Sequence, residues 1–218
     1  MITIIDYGAG NLFSVKKALE YFGAHVVISD NPNNILEARG LVLPGVGAFG
    51  WGMRLLEEKN LCKVIKIAAD RGVPLLGVCL GLQLLFEESE ESPEAKGLGL
   101  IKGIVKRLPD TLPLPHIGWN QVRIIRDTPI FRGIKNDCFF YFVHSYYGEP
   151  LNKDSICGIT EYGIEFPSVI CQDNIFAVQF HPEKSSSEGL KVYKNFLGIV
   201  YGNNTSYRYN RRKVRKTY

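Results

Sequence analysis

Few residues of the types that often announce a function are present here. The 218 residues include two methionines, two tryptophans, four histidines and five cysteines. Cys62, Cys79, Cys138, Cys157 and Cys171 are odd in number and irregular in spacing, which fits neither a disulfide framework nor a metal-ligand pattern. No metal and no cofactor are therefore expected. Cys157 and Cys171 fall in strand-like apolar segments and read as small core residues; Cys62 reads as a helix residue. No segment approaches the ~20 apolar residues that span a bilayer. The opening MITIIDYGAGN lacks the basic start and apolar stretch of a signal peptide, and reads as a strand running into a glycine turn. A reducing, cytoplasmic setting with no membrane partner is the expectation.

Acidic side chains are missing altogether from positions 203–218, NNTSYRYNRRKVRKTY, which hold six of the 26 Lys and Arg. The other twenty basic residues face 22 acidic ones, so the net charge of +4 comes from this tail and the body is near neutral. Such a tail either binds nucleic acid or an acidic partner, or trails in solvent as a poorly ordered terminus. The second reading is preferred, and nucleic acid is not an expected partner. With 45% apolar and 22% charged residues the composition is that of a globular protein and excludes a largely disordered chain. One domain over residues 1–202 with the tail appended is the expected organisation.

Apolar runs separated by helical periodicities organise the first half. ITII (2–5) and HVVIS (25–29) bracket Leu12, Val15, Ala18, Leu19 and Phe22, spaced as one face of a helix. Asn11 is placed to cap that helix and Gly23 to stop it. GLVLP (40–44) is followed by PGVGAFG, a helix from about Trp51 to Asn60, and another over Leu61 to Arg71. VPLLGVC (73–79) reads as a strand covered on both faces, and a helix over GLQLLFEES follows. The second half holds short runs, GLGLIKGIVKRL, NQVRII, CFFYFVHSYY, ICGITEY, SVICQD and IFAVQFHPE, which look antiparallel. A helix over Ser186 to Val200 closes the chain. The fold class expected is α/β: an open, mostly parallel, flavodoxin-like sheet with helices on both faces and a β-rich antiparallel second half.

Gly77-Val78-Cys79-Leu80-Gly81 sits where that fourth strand meets its helix. A nucleophile elbow has this form, because the tight turn brings backbone close and residues two places away must be small. Cys79 would then stand at a helix N-terminus, where the dipole favours an anion, and the Leu80 N–H would face a developing oxyanion. The rival reading is a core cysteine flanked by glycines by chance. His181 ends the apolar run Ile175 to Phe180, and Glu183, beyond Pro182, can accept from its imidazole and fix the tautomer. Taken alone, His-Pro-Glu reads as a surface histidine beside a solvated carboxylate; the combination with Cys79 carries the argument. His25 reads as structural or exposed, while His116 and His144 lie in aromatic stretches open to a substrate or a partner.

GVCLGLQLLF with the distant VQFHPEKS resembles the triad, class I glutamine amidotransferases. IDYGAGNLFSV, LPGVGAFG, SEESPE followed by GLGLIKG, PHIGWN and FYFVHSYY narrow the resemblance to the glutaminase subunits of imidazole glycerol phosphate synthases, in histidine biosynthesis. It covers about residues 1–200 and leaves the tail out. The resemblance implies a glutaminase acting on L-glutamine, with Cys79 forming a γ-glutamyl thioester, His181 moving protons and Glu183 orienting it. It implies oxyanion donors at Leu80 and in Pro44-Gly45-Val46-Gly47, foremost Val46. It implies that Gly45, Gly47, Gln83 and the backbone of His144, Ser145 and Tyr146 bind the substrate. Without it, Gln83 reads as an exposed helix residue and His144 to Tyr147 as a sheet edge. The resemblance further implies a heterodimer with a (β/α)₈-barrel cyclase that receives the ammonia, met through Asn11, Trp119, Asn120, Tyr141 and Lys184. Trp119 reads equally well as buried core. The same chemistry would serve a different synthase, such as a sugar amidotransferase of surface-polysaccharide assembly. A non-catalytic domain docking through the tail would need none of Cys79, His181 and Glu183.

Overall fold

The computed structural model describes residues 1–202, so the expectations for the basic tail lie outside the described residues. The chain opens with β1 (Ile2–Ile5), α1 (Leu12–Glu20), β2 (Val26–Ser29), α2 (Pro32–Leu36), β3 (Gly40–Gly45), α3 (Phe49–Glu58), α4 (Leu61–Asp70), β4 (Leu75–Cys79) and α5 (Leu80–Leu84). It continues with β5 (Glu88–Ser89), β6 (Gly103–Arg107), β7 (His116–Ile124), β8 (Cys138–His144), β9 (Tyr146–Pro150), β10 (Ile156–Glu161), β11 (Glu165–Gln172), β12 (Ile175–Val178) and α6 (Ser186–Tyr201). Among the described residues, nine strands form one sheet in the order β2-β1-β3-β4-β12-β11-β10-β7-β8, and β5-β6-β9 form a second.

Every residue of β1, β3 and β4 is buried, as parallel strands covered on both faces require. One face packs Val15 and Leu19 of α1 and Val192, Phe196 and Leu197 of α6 against Ile4 and Val78. The opposite face packs Leu56 of α3, Ile65 of α4 and Leu80 of α5 against Ile5 and Leu43. Each such fully buried aliphatic side chain contributes about 1.5–3 kcal/mol. Helices on both faces of an α/β sheet are as the sequence pattern predicts.

Element boundaries depart from the pattern where partners come from far along the chain. α1 starts as expected, with the Asn11 side chain accepting from the Ser14 N–H at 3.3 Å. α3 starts at Phe49, earlier than the expected Trp51, because Glu91 and Ser92 cap it. Phe49 N–H donates to Glu91 Oε2 at 2.7 Å and Gly50 N–H to Ser92 Oγ at 3.1 Å. The helix expected over GLQLLFEES is corrected to α5 alone. Residues 98–101 claim the carbonyls it would need, Leu98 N–H bonding to Leu84 and both Leu100 and Ile101 N–H to Leu85.

β12 joins the halves. It runs antiparallel to β11 but parallel to β4, with Val178 level with Val78. Its apolar run, grouped in the sequence with the antiparallel strands, thus belongs equally to the parallel sheet. This brings the chain beyond Val178 to the edge where β4 ends at Cys79.

Candidate active site

Cys79 occupies the junction of β4 and α5 with φ 55°, ψ −112°, a conformation that is strained for any residue with a Cβ. The flanking glycines make room for it. A Cβ on Gly77 would lie 2.9 Å from the Gly81 carbonyl oxygen and 3.0 Å from Leu82 N, and one on Gly81 would collide with the Leu43 carbonyl. The turn is therefore closed on itself and pressed on β3. The thiol lies 3.9 Å from the Val143 carbonyl, and Gln179 Nε2 donates toward the sulfur at 3.9 Å. Cys79 is 5% exposed.

His181 follows β12 and is held along its backbone. Its N–H donates to Tyr141 O at 2.9 Å, and its carbonyl accepts from Ser185 Oγ at 2.6 Å. Nδ1 lies 2.8 Å from Glu183 Oε1, and Glu183 Oε2 accepts from the Tyr193 hydroxyl at 3.1 Å. A carboxylate only accepts, so Nδ1 carries a hydrogen and Nε2 is the nitrogen left to exchange a proton. Burial pulls the His181 pKa down, but the Cys79 sulfur and the Glu183 carboxylate outweigh it and push it up to about 10. Among the described residues two buried side-chain polar atoms lack a hydrogen-bond partner: His181 Nε2 and the Tyr7 hydroxyl. Both belong to this neighbourhood. Tyr7 packs where a Cβ on Gly45 would be, and Gly45 is paired in register with Cys79.

The other residues singled out from the sequence fall around this pair. Gly45 ends β3 beside Cys79, Val46 and Gly47 continue from it as exposed backbone, and Gly47 has φ +105°. Leu80 is the first residue of α5. Gln83 is buried, which corrects its reading as an exposed helix residue; Nε2 donates to Tyr146 O at 2.8 Å and to Gln179 Oε1 at 3.3 Å. His144 ends β8, Ser145 turns the chain and Tyr146 opens β9. The imidazoles of His116 and His144 are both buried and face each other at 3.0 Å, not open solvent. His25 is exposed.

Trp119 is 52% exposed, which excludes the core reading. Its ring stands edge-on to Tyr141 with centroids 6.2 Å apart, and Lys184 Nζ lies 5.7 Å above the Tyr141 ring. Asn120, half-buried beside them, donates to the Glu161 carbonyl at 2.8 Å. Asn11 is exposed at the start of α1. Gln179, Tyr193 and Tyr7 were not legible as site residues; Tyr193 carries only the signature of a helix core position.

Among the described residues no group of three or more His, Cys, Asp or Glu is placed to hold a metal ion, and no helix is long and apolar enough to cross a membrane. A nucleophile with a backbone-held imidazole and an anchored carboxylate is equipped for covalent acyl transfer.

Comparison with known proteins gives this site its setting. A family profile described as class-I glutamine amidotransferase matches residues 3–200. The chain belongs to that family. A relative from Moorella thermoacetica, named imidazole glycerol phosphate synthase subunit HisH, is 55% identical over 91% of this chain and 95% of its own. A protein of the same name from Methanocaldococcus jannaschii is 54% identical over 92% of this chain and 100% of its own. Among solved structures, one titled as a glutamine amidotransferase superposes with a TM-score of 0.73 at 19% identity, covering 91% of this chain and 98% of its own. PurLQS from Thermotoga maritima superposes at 0.71 and 18%, over 91% and 98%. At such identities these two speak for the fold alone.

Proposed function

We propose that this amidotransferase is the glutaminase subunit of an imidazole glycerol phosphate synthase, with Cys79, His181 and Glu183 as its catalytic residues and residues 1–202 as its amidotransferase domain. The observation that carries the reading is the meeting of sequence-distant groups at one sheet edge: Cys79 at the end of β4, and His181 beyond the parallel β12 with Nδ1 tied to Glu183. Relatives at 54–55% identity bear the name of that subunit.

In this mechanism the Cys79 sulfur attacks the side-chain amide carbon of glutamine. The tetrahedral oxyanion is met by the N–H groups of Leu80 and Val46; losing one such donor typically lowers the rate ~10²–10³-fold. His181, oriented through Nδ1 by Glu183, takes the thiol proton and passes it to the departing nitrogen, which leaves as ammonia. Water then attacks the γ-glutamyl thioester, its proton goes to His181, and glutamate leaves with the thiol restored. Glu183 keeps Nε2 the exchanging nitrogen throughout. Gly45, Gly47, Gln83 and the His144–Tyr146 backbone hold the amino acid.

Ammonia made here would pass to a (β/α)₈-barrel cyclase in the cytoplasm. The exposed Trp119, edge-on to a Tyr141 ring that Lys184 covers, suits such a partner, because aromatic and cationic anchors are enriched at interfaces. Asn11 and Asn120 complete the surface. Reconstitution with a barrel cyclase tests the proposal. The Cys79→Ala complex should lose glutamine-dependent synthesis of imidazole glycerol phosphate and keep the ammonia-dependent reaction. Glutamine use that survives the substitution would exclude the mechanism; a complex that never makes this product would redirect the chain to another synthase.

A further inference from the structure

A run of hydrogen bonds leads from β7 to the Cys79 sulfur, and its direction follows from one atom. The Tyr146 carbonyl oxygen can only accept. It is approached by His144 Nδ1 at 2.8 Å and by Gln83 Nε2 at 2.8 Å, so both nitrogens carry hydrogen. A neutral His144 then has a bare Nε2, which takes a hydrogen from His116 Nδ1 at 3.0 Å. His116 in turn has a bare Nε2, which accepts from Asn120 Nδ2 at 3.2 Å. On the other side Gln83 Nε2 gives its second hydrogen to Gln179 Oε1 at 3.3 Å, which turns Gln179 Nε2 to the sulfur.

The scheme requires both imidazoles to be neutral, since a protonated ring would set two N–H groups against each other. Their surroundings enforce this. His116 is stacked between Phe142 and Tyr162, and His144 lies against Phe166. Burial pushes His116 down to about 4 and His144 to about 3. One consequence reaches the pocket. With both hydrogens of Gln83 Nε2 engaged, only its Oε1 is left for a ligand, and among the described residues nothing donates to it.

We propose that His116 and His144 are positioning residues: as a neutral, Nδ1-protonated pair they hold the Tyr146 carbonyl where it orients Gln83, so that the pocket offers a carboxamide oxygen to a donor such as an amino acid's ammonium group. The ligand part rests on the glutamine reading above; the pair itself does not.

Two measurements on the full chain test this. Ring-nitrogen NMR of ¹⁵N-histidine-labelled protein should find both residues neutral with Nδ1–H from about pH 5.5 to about pH 8, where an ordinary histidine titrates. An Nε2–H tautomer or a titration in that window would overturn the proposal. His116→Phe keeps an aromatic ring between Phe142 and Tyr162 but removes the donor to His144. The saturating concentration of a glutamine-like chloroketone that alkylates Cys79 should rise roughly tenfold, the scale of one buried polar group left unpaired. The maximal alkylation rate should change little. A half-saturation unchanged from wild type would show that the pair only packs. A wild-type Cys79 that reacts with iodoacetamide but ignores the chloroketone would overturn the glutamine reading instead, leaving the ring tautomers to decide the pair.

Discussion

Replacing Tyr7 by phenylalanine removes a hydroxyl that is buried without a hydrogen-bond partner among the described residues. The same change at Tyr193 removes one that donates to Glu183 Oε2 at 3.1 Å. Leaving a buried hydroxyl unsatisfied costs ~1–3 kcal/mol. The void left by one oxygen, ~10–15 Å³, costs only ~0.3 kcal/mol at the usual cavity coefficient. Tyr7→Phe should therefore stabilise the chain by ~1–2 kcal/mol, or ~2–8 °C in Tm for a chain of this size. Tyr193→Phe loses a hydrogen bond to a charged acceptor, ~1.5–3 kcal/mol, and should lower the Tm instead. It should also slow glutamine hydrolysis, because Glu183 loses the donor that fixes its far oxygen. Urea titrations at constant m-value, paired with thermal melts, read both variants. The reasoning fails if Tyr7→Phe destabilises by ~1 kcal/mol or more, since its hydroxyl would then have a partner worth at least that much.

Gly81→Ala would drive a Cβ into the Leu43 carbonyl and should cost ~3 kcal/mol by overpacking; a urea midpoint matching wild type would show that the elbow has slack. Cys79→Ala removes the sulfur that helps to raise His181, so the imidazole should titrate lower than in wild type. A raised histidine pKa stabilises the fold fully below 6.5 and loses that contribution as pH climbs toward 10, so the variant's stability should also flatten across this range. An imidazole NMR titration unchanged by the substitution would refute the coupling. Removing residues 203–218 should leave glutamine hydrolysis within about twofold, as expected of an appended terminus; a larger loss in steady-state assays would give the tail a part in the reaction.

The βα repeats were legible because their information is local. The buried runs of β1, β3 and β4, the Asn11 cap and the small residues around Cys79 each state their structure within a few positions. What escaped was set by distant partners. Glu91 and Ser92 cap α3 from 42 residues away, and the 98–101 segment ends α5 by taking its carbonyls. α2 spans five residues, too few to show a period. Gln179 and Tyr193 sit at ordinary core positions of a strand end and a helix, and only the fold reveals that one faces Cys79 and the other Glu183. His116 and His144 meet through strand pairing, which spacing along the chain does not disclose.

The place of β12 has a bearing on how the enzyme comes into being. Among the described residues it is the last strand made, yet it lies between β4 and β11, so a chain still emerging from the ribosome shows β4 as an open sheet border with Cys79 not yet faced by His181. Closure of that border and delivery of His181 are one event. On the proposed mechanism a half-finished molecule would consume no glutamine, and one that has lost its final hairpin would be both inert and prone to pair its bare edge with another chain.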